Sequence, residues 1–467
     1  MNESKKIINA GLGYTIGNIL IKGISFLTIP LYTRLMSTSD YGIYNTYVAY
    51  VGIITFIVCL GLDPTLKNAE IDYPDKKNSF LSTVYCLTFL SFLICLLLVL
   101  IFGKWLCVLT DLEWGMLILL VLNAETAAIV NIYNIKLSLS FSSRSYLKIS
   151  FFQTIMGVIL SVALMLSVYD GKRYWGRIIG MLIPALIVAG YIIWKAVLSL
   201  PCKMRFNAEM AKYSLKLGLP LIPHLLSQVL NSQFDRIMIS TIVGYAQSGI
   251  YSFACNIAII FQILYQSLDT VWSPWFFEKM KQKDYDGICS TSKKYMILVS
   301  FFAVGLMTIS REFIMIFATE EYWSGMSLAP VLIFGFYFLF LYTLPAGVEY
   351  YTKNTKYIAV GSIVSAVINI VLNYFAIRIF GYKAAAYTTL ISYIVLFLMH
   401  WGISRKIFSE KLFDGRFILK LIGTICVWHV FCIATQELWA LRYFFFAIVV
   451  GFTLRFFKSD ILNYIKR

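Results

Sequence analysis

Fourteen stretches of about twenty mostly apolar residues follow one another along this chain, joined by short polar connections. A helix of about 20 residues crosses the roughly 30 Å hydrocarbon core of a bilayer. The stretches therefore read as membrane spans, at 11–33, 42–62, 81–102, 115–134, 151–168, 178–194, 219–242, 249–272, 296–317, 328–351, 358–377, 384–403, 418–435 and 438–457. Lys420, Arg442 and Arg455 interrupt the last two, and twelve spans remain if those two lie in the interface. Composition points the same way. Of 467 residues, 59% are hydrophobic and 14% charged, against about 45–50% and about 25% in soluble domains. So few charges cannot cover a water-facing surface, and so many apolar residues exclude disorder. The expected fold class is an all-α polytopic membrane protein with 12–14 transmembrane helices.

The formal charge of +16 would suit a nucleic-acid partner if the cations shared one soluble face. They do not. With both termini placed in the cytoplasm, 27 of the 40 Lys and Arg fall between spans on the inner side, 7 on the outer side and 6 within spans. Cations retained on the cytoplasmic side orient membrane proteins, so the charge sets topology and implies no nucleic acid. The longest outer connection is 103–114 and the longest inner one 195–218. Neither holds a domain, so the work is expected within the bilayer.

Nine cysteines are scattered without C-x-x-C spacing and read as small core residues, not as metal or redox sites. His224, His400 and His429 fall on different spans without ligand spacing. Lys5 and Lys6 precede an apolar run too long for a signal peptide's core, and no A-x-A site follows, so that run is expected to stay as span 1. Gly11, Gly13 and Gly17 miss the dinucleotide spacing and suit close helix packing better. No Walker A sequence is present, which excludes transport driven by the chain's own ATP hydrolysis.

Gly42-Ile43-Tyr44 and Gly249-Ile250-Tyr251 lie 207 residues apart. Each follows a long outward-going span and opens a returning one. Spans 5 and 11 also match in position, each leaving a short basic inner loop. Both halves run in the same direction, which is a parallel repeat about an axis along the membrane normal. Two-bundle architectures of this kind are typical of alternating-access transporters. The repeat divides the chain into lobes of six helices at 1–200 and 201–404, with two more helices in 405–467.

The same segments carry a resemblance. Pro30 to Arg34 followed by Asp40 to Tyr44, Gly218 to Pro223 followed by Asp235-Arg236 and Gly249-Ile250-Tyr251, and Asn369 to Asn373 followed by Gly381 to Ala386 together resemble the Wzx-type polysaccharide repeat-unit flippases. That family handles O-antigen and capsule oligosaccharides. It sits in the MOP superfamily with the MATE drug exporters and the lipid II flippase. The resemblance implies a two-lobed exporter in the bacterial cytoplasmic (inner) membrane. Its substrate would be undecaprenyl-diphosphate-linked oligosaccharide, moved from the cytoplasmic to the outer leaflet for surface polysaccharide assembly. It also implies a cationic cavity, a coupling ion (H⁺ or Na⁺) with no other cofactor, and work alongside a polysaccharide polymerase and chain-length proteins.

Such a cargo needs interior cations for its diphosphate and polar or aromatic faces for its sugars, and no bond need be made or broken. Charges within spans cost about 2.5–3.5 kcal/mol each and mark function by default. Lys22 lies midway along span 1. Arg236 lies about 7–8 Å outward of the centre of span 7, and its planar fork suits phosphate oxygens. Asp235 points about 100° away around the helix and cannot simply cancel it. An interhelical ion pair is the bland alternative for each cation. Arg34 at the outer end of span 1, and Arg311 beside Glu312, are further substrate candidates of weaker claim. Glu125 is an acid near the centre of span 4, placed to take a coupling proton or to hold Lys22. Asp235 and Asp63 join it as ion-coupling or gating candidates, with Asp269 and Glu349 as end-of-helix charges. Pro220, Pro223 and Pro345 are expected to bend their helices.

Two other functions compete. A multidrug antiporter would call for interior carboxylates where Lys22 and Arg236 stand. A membrane-embedded polysaccharide polymerase would need a substantial outer loop. The expectation is a transporter and not an enzyme.

Overall fold

The computed structural model describes residues 13, 14, 17, 18, 20–168, 171–195 and 206–465. Among them the regular structure is entirely helical. After helical residues 20–27 come α1 (Ile29–Leu35), α2 (Thr38–Cys59), α3 (Thr65–Asp72), α4 (Lys77–Thr110), α5 (Trp114–Leu139), α6 (Ser143–Ser167), α7 (Arg173–Ile193) and α8 (Ala208–Gly218). The chain continues through α9 (Ile222–Ile242), α10 (Tyr245–Gln282), α11 (Tyr285–Phe317), α12 (Leu328–Tyr351), α13 (Lys356–Phe380), α14 (Ala384–Ile407), α15 (Gly415–Ala434) and α16 (Trp439–Ile465).

Twelve of these helices are long and apolar enough to cross a membrane. Two of the fourteen expected spans are not among the twelve. The first lies partly outside the described residues. The other is α9, which has the length, 21 residues, but not the apolarity. The expected bends at Pro220 and Pro223 are corrected: Pro220 sits in a 3-10 turn and Pro223 in the first turn of α9. A proline there blocks no helical hydrogen bond, because first-turn amides have no intrahelical acceptor. Pro345 does lie inside α12.

By contact the chain forms two compact units, Met1–Gly249 and Ile250–Arg467. In the first, α5 is the hub, packed on α2, α4 and α7, while α6 and α7 form an antiparallel hairpin. By topology α9 opens the second half, yet it packs along α2. Small residues permit this. A Cβ on Gly42 would stand 1.8 Å from the carbonyl oxygen of Tyr245, and one on Gly249 would stand 2.1 Å from that of Thr38. The two glycines of the repeated Gly-Ile-Tyr thus meet backbone to backbone, which no larger residue allows.

In the second unit α12 is the hub, lying against α11, α14 and α15, with α13 on α14. The Asn369–Asn373 motif joins the last two. Asn373 Nδ2 donates to Asn369 Oδ1 at 3.1 Å, Asn369 Nδ2 to Thr389 at 3.3 Å, and Thr388 Oγ1 to Asn373 Oδ1. All four side chains are buried, where unpaired amides would be costly.

Candidate functional site

The polarity that removes α9 from the apolar spans is concentrated between His224 and Arg236. Ser227, Asn231, Asp235 and Arg236 are all buried, and Gln228 bonds His224 one turn earlier at 3.1 Å. Asn231 and Asp235 share a face at i, i+4 spacing. Arg236 is 4% exposed and folds back on its own helix, donating from Nη1 to the Ser232 carbonyl at 2.9 Å and to Gln233 Oε1 at 2.6 Å. Among the described residues it has no carboxylate partner. Its backbone carbonyl accepts from Ser248 at 3.0 Å, and Ser248 meets Thr46 of α2 at 3.3 Å. This end of α9 is therefore pinned in place. A guanidinium held by neutral oxygens can offer charge-assisted hydrogen bonds to an anion.

Lys22 is exposed on the helical residues before α1, and no described carboxylate pairs with it. Glu125 does not hold it. That carboxylate is 7% exposed on α5, with Oε2 lacking any hydrogen-bond partner. Near it Asn123 donates to Tyr47 at 2.8 Å, a polar contact between α5 and α2. Arg34 ends α1 and is exposed. Asp63 is half-buried in the turn after α2, accepting from Cys59 at 3.7 Å, and burial raises its carboxyl above the ordinary range.

Arg311 is placed in a clamp. Nη2 meets Glu437 at 2.6 Å and Nη1 donates to the Gln436 carbonyl, so it ties α11 to the turn between α15 and α16. Its neighbour Glu312 pairs with Arg442, which also donates to the Thr308 carbonyl at 2.7 Å. The bland reading of an ion pair fits Arg311 and Arg442. It does not fit Arg236.

One residue, Arg177, and one pairing, Glu349 with His400, escaped the sequence reading. Arg177 falls one residue outside the expected span, yet α7 begins at Arg173 and carries it a full turn inside. Its guanidinium lies 3.1 Å from the ring centre of Tyr32 and 4.9 Å from that of Tyr44, a cation–π pair of contacts, with Nη1 unpartnered. Spacing of Arg173 and Arg177 by four was the available signal. In the second unit Glu349 of α12 and His400 of α14 are both wholly buried and meet at 2.8 Å between Oε1 and Nδ1. The His400 ring packs so tightly on Gly361 that a Cβ there would stand 2.2 Å from Nε2. Fifty-one residues separate the pair, and no local pattern joins them.

Comparison with known proteins gives this arrangement a family. A family model described as polysaccharide biosynthesis protein matches residues 9–280, more than half of the chain. The chain belongs to that family. The polysaccharide biosynthesis resemblance seen in the motifs is thus established. A curated member-like relative, "Lsg locus putative protein 1" of Haemophilus influenzae, is 25% identical over 285 residues, covering 60% of this chain and 68% of its own length. An uncharacterized membrane protein of the same organism is 26% identical over 289 residues, and the matched part is 65% of that protein, just under two thirds. Among solved structures, the lipid II flippase MurJ in an inward closed conformation superposes with a TM-score of 0.71 at 17% identity, over 97% of this chain and all of that one. An inward-facing MATE multidrug transporter of the MOP superfamily gives 0.61 at 14% identity, over 82% and 97%. At these identities the likeness establishes the fold. This member of the polysaccharide biosynthesis family is a multi-pass membrane protein with the fold of MOP-superfamily transporters.

Proposed function

We propose that the chain flips polyprenyl-diphosphate-linked oligosaccharide repeat units from the cytoplasmic to the outer leaflet of the bacterial cytoplasmic membrane. It does so by ion-coupled alternating access, with both termini in the cytoplasm, and it supplies surface polysaccharide assembly. The observation that carries the reading is Arg236: a buried guanidinium without a described carboxylate partner, on the one 21-residue helix too polar to rank as an apolar span. A diphosphate drawn toward it would gain charge-assisted hydrogen bonds in a place shielded from water. Lys22 serves the same anion from span 1. Glu125 takes the coupling ion, since a buried carboxylate with a free oxygen binds a cation and releases it when water enters.

That same carboxylate supports a second reading, a cation-exporting antiporter of the MATE kind. The two part on mutation. Under the flippase reading, R236A and K22A each abolish surface glycan while the protein stays in the membrane, and R236K restores part of it. E125Q leaves binding intact and weakens the dependence of export on ion gradients. Normal glycan in both alanine variants, with drug resistance lost in E125Q, would support the antiporter and reject the flippase.

A further inference from the structure

At the end of the first unit that carries the basic loops, a cavity of about 400 Å³ opens between α5, α6 and α7. Its polar lining is Tyr133, Ser145, Lys148, Tyr191 and Lys195, and none of its described lining residues is acidic. One of the cations, Lys195, is held by specific contacts. Lys195 Nζ lies 3.1 Å from Tyr191 Oη and 5.4 Å from the centre of that ring, while Tyr133 is buried beside it. Lys136, one turn along α5 from Tyr133, adds a third cation to this end of the unit. Here Lys148 and Lys195, from two helices and themselves exposed, line an open pocket together with three hydroxyls.

The remaining wall is apolar and faces outward. Phe152 is 41% and Ile187 55% exposed, and exposed Ile155, Ile159, Ile183 and Leu186 continue along α6 and α7 away from the cations. Cations and hydroxyls at one end of an apolar track match a phosphate headgroup with acyl or prenyl chains below it. Basic pockets between helices at the cytoplasmic interface bind such headgroups.

We propose that this cavity binds the anionic phosphate headgroup of a membrane lipid. A resident acidic phospholipid and the polyprenyl phosphate of the substrate share that chemistry. The site is separate from Arg236 and does not depend on the flippase reading.

The test uses the full-length protein in nanodiscs, with native mass spectrometry to count retained lipid. Phosphatidylglycerol, undecaprenyl phosphate and phosphatidylcholine are offered in separate arms. The expected result is one retained phosphate-headed anionic lipid per chain in one or both of the first two arms, which names the source, and none in the third. K148A/K195A should bind at least about tenfold more weakly, K148R/K195R should retain binding, and K281A/K356A, two lysines outside the cavity, should match the native protein. Equal retention of phosphatidylcholine, unchanged retention in K148A/K195A, or equal loss in K281A/K356A would overturn the proposal. Because the readout is lipid bound to purified protein, it can fail while glycan export stands, and the reverse.

Discussion

At the scale of single residues, buried polar groups divide by what partners them. Glu349 and His400 answer one another inside the second unit, and Arg442 is answered by Glu312 and a carbonyl. Removing one member of a wholly buried hydrogen-bonded pair leaves the other unsatisfied, at a cost of about 1–3 kcal/mol. E349A should therefore lower the unfolding temperature of the detergent-solubilised protein markedly. R311A removes an ion pair whose partner Glu437 is 82% exposed, and should change stability by about 0–1 kcal/mol. Equal loss in the two would reject this division. Arg236 belongs to neither class, since only neutral oxygens on its own helix hold it. R236A should leave the unfolding temperature nearly unchanged while it stops export, a combination a structural arginine would not give.

At the scale of elements, α2, α9 and the start of α10 depend on close approach. The meeting of Gly42 with Tyr245, and of Gly249 with Thr38, involves backbone atoms on both sides, so no side chain can turn aside. G249V should cost at least about 1–3 kcal/mol through overpacking, seen as loss of monodisperse protein after extraction. Gly52 offers a control: a Cβ there meets only the Val229 side chain at 3.4 Å, and G52A should be tolerated. The spans were legible because each is a long apolar run, and the repeat because its glycines recur at matching turns. Less was legible where tertiary contacts set the outcome. Arg177 was placed outside its span because the apolar run begins at 178. The helix itself starts earlier, where the Arg173 amide donates to Asp40 at 3.3 Å from 133 residues away. The Glu349–His400 pair depends on the register of α12 against α14, which neither helix encodes alone. Arg311 looked like an intramembrane cation because its partner lies across a turn 126 residues on.

At the scale of the whole molecule, the fold of MOP-superfamily transporters and membership of the polysaccharide biosynthesis family coincide with a buried guanidinium on α9 held by neutral oxygens. The fold alone serves drug exporters and lipid flippases alike, so cargo must be argued from charge sign within the span region. The most direct measurement reconstitutes the purified protein into liposomes with polyprenyl-diphosphate-linked oligosaccharide and an ion gradient, and follows the exposure of the sugar on each leaflet. The expected result is gradient-dependent movement across the bilayer by the native protein and none by R236A. Movement at the same rate with R236A, or none with the native protein, would contradict the account.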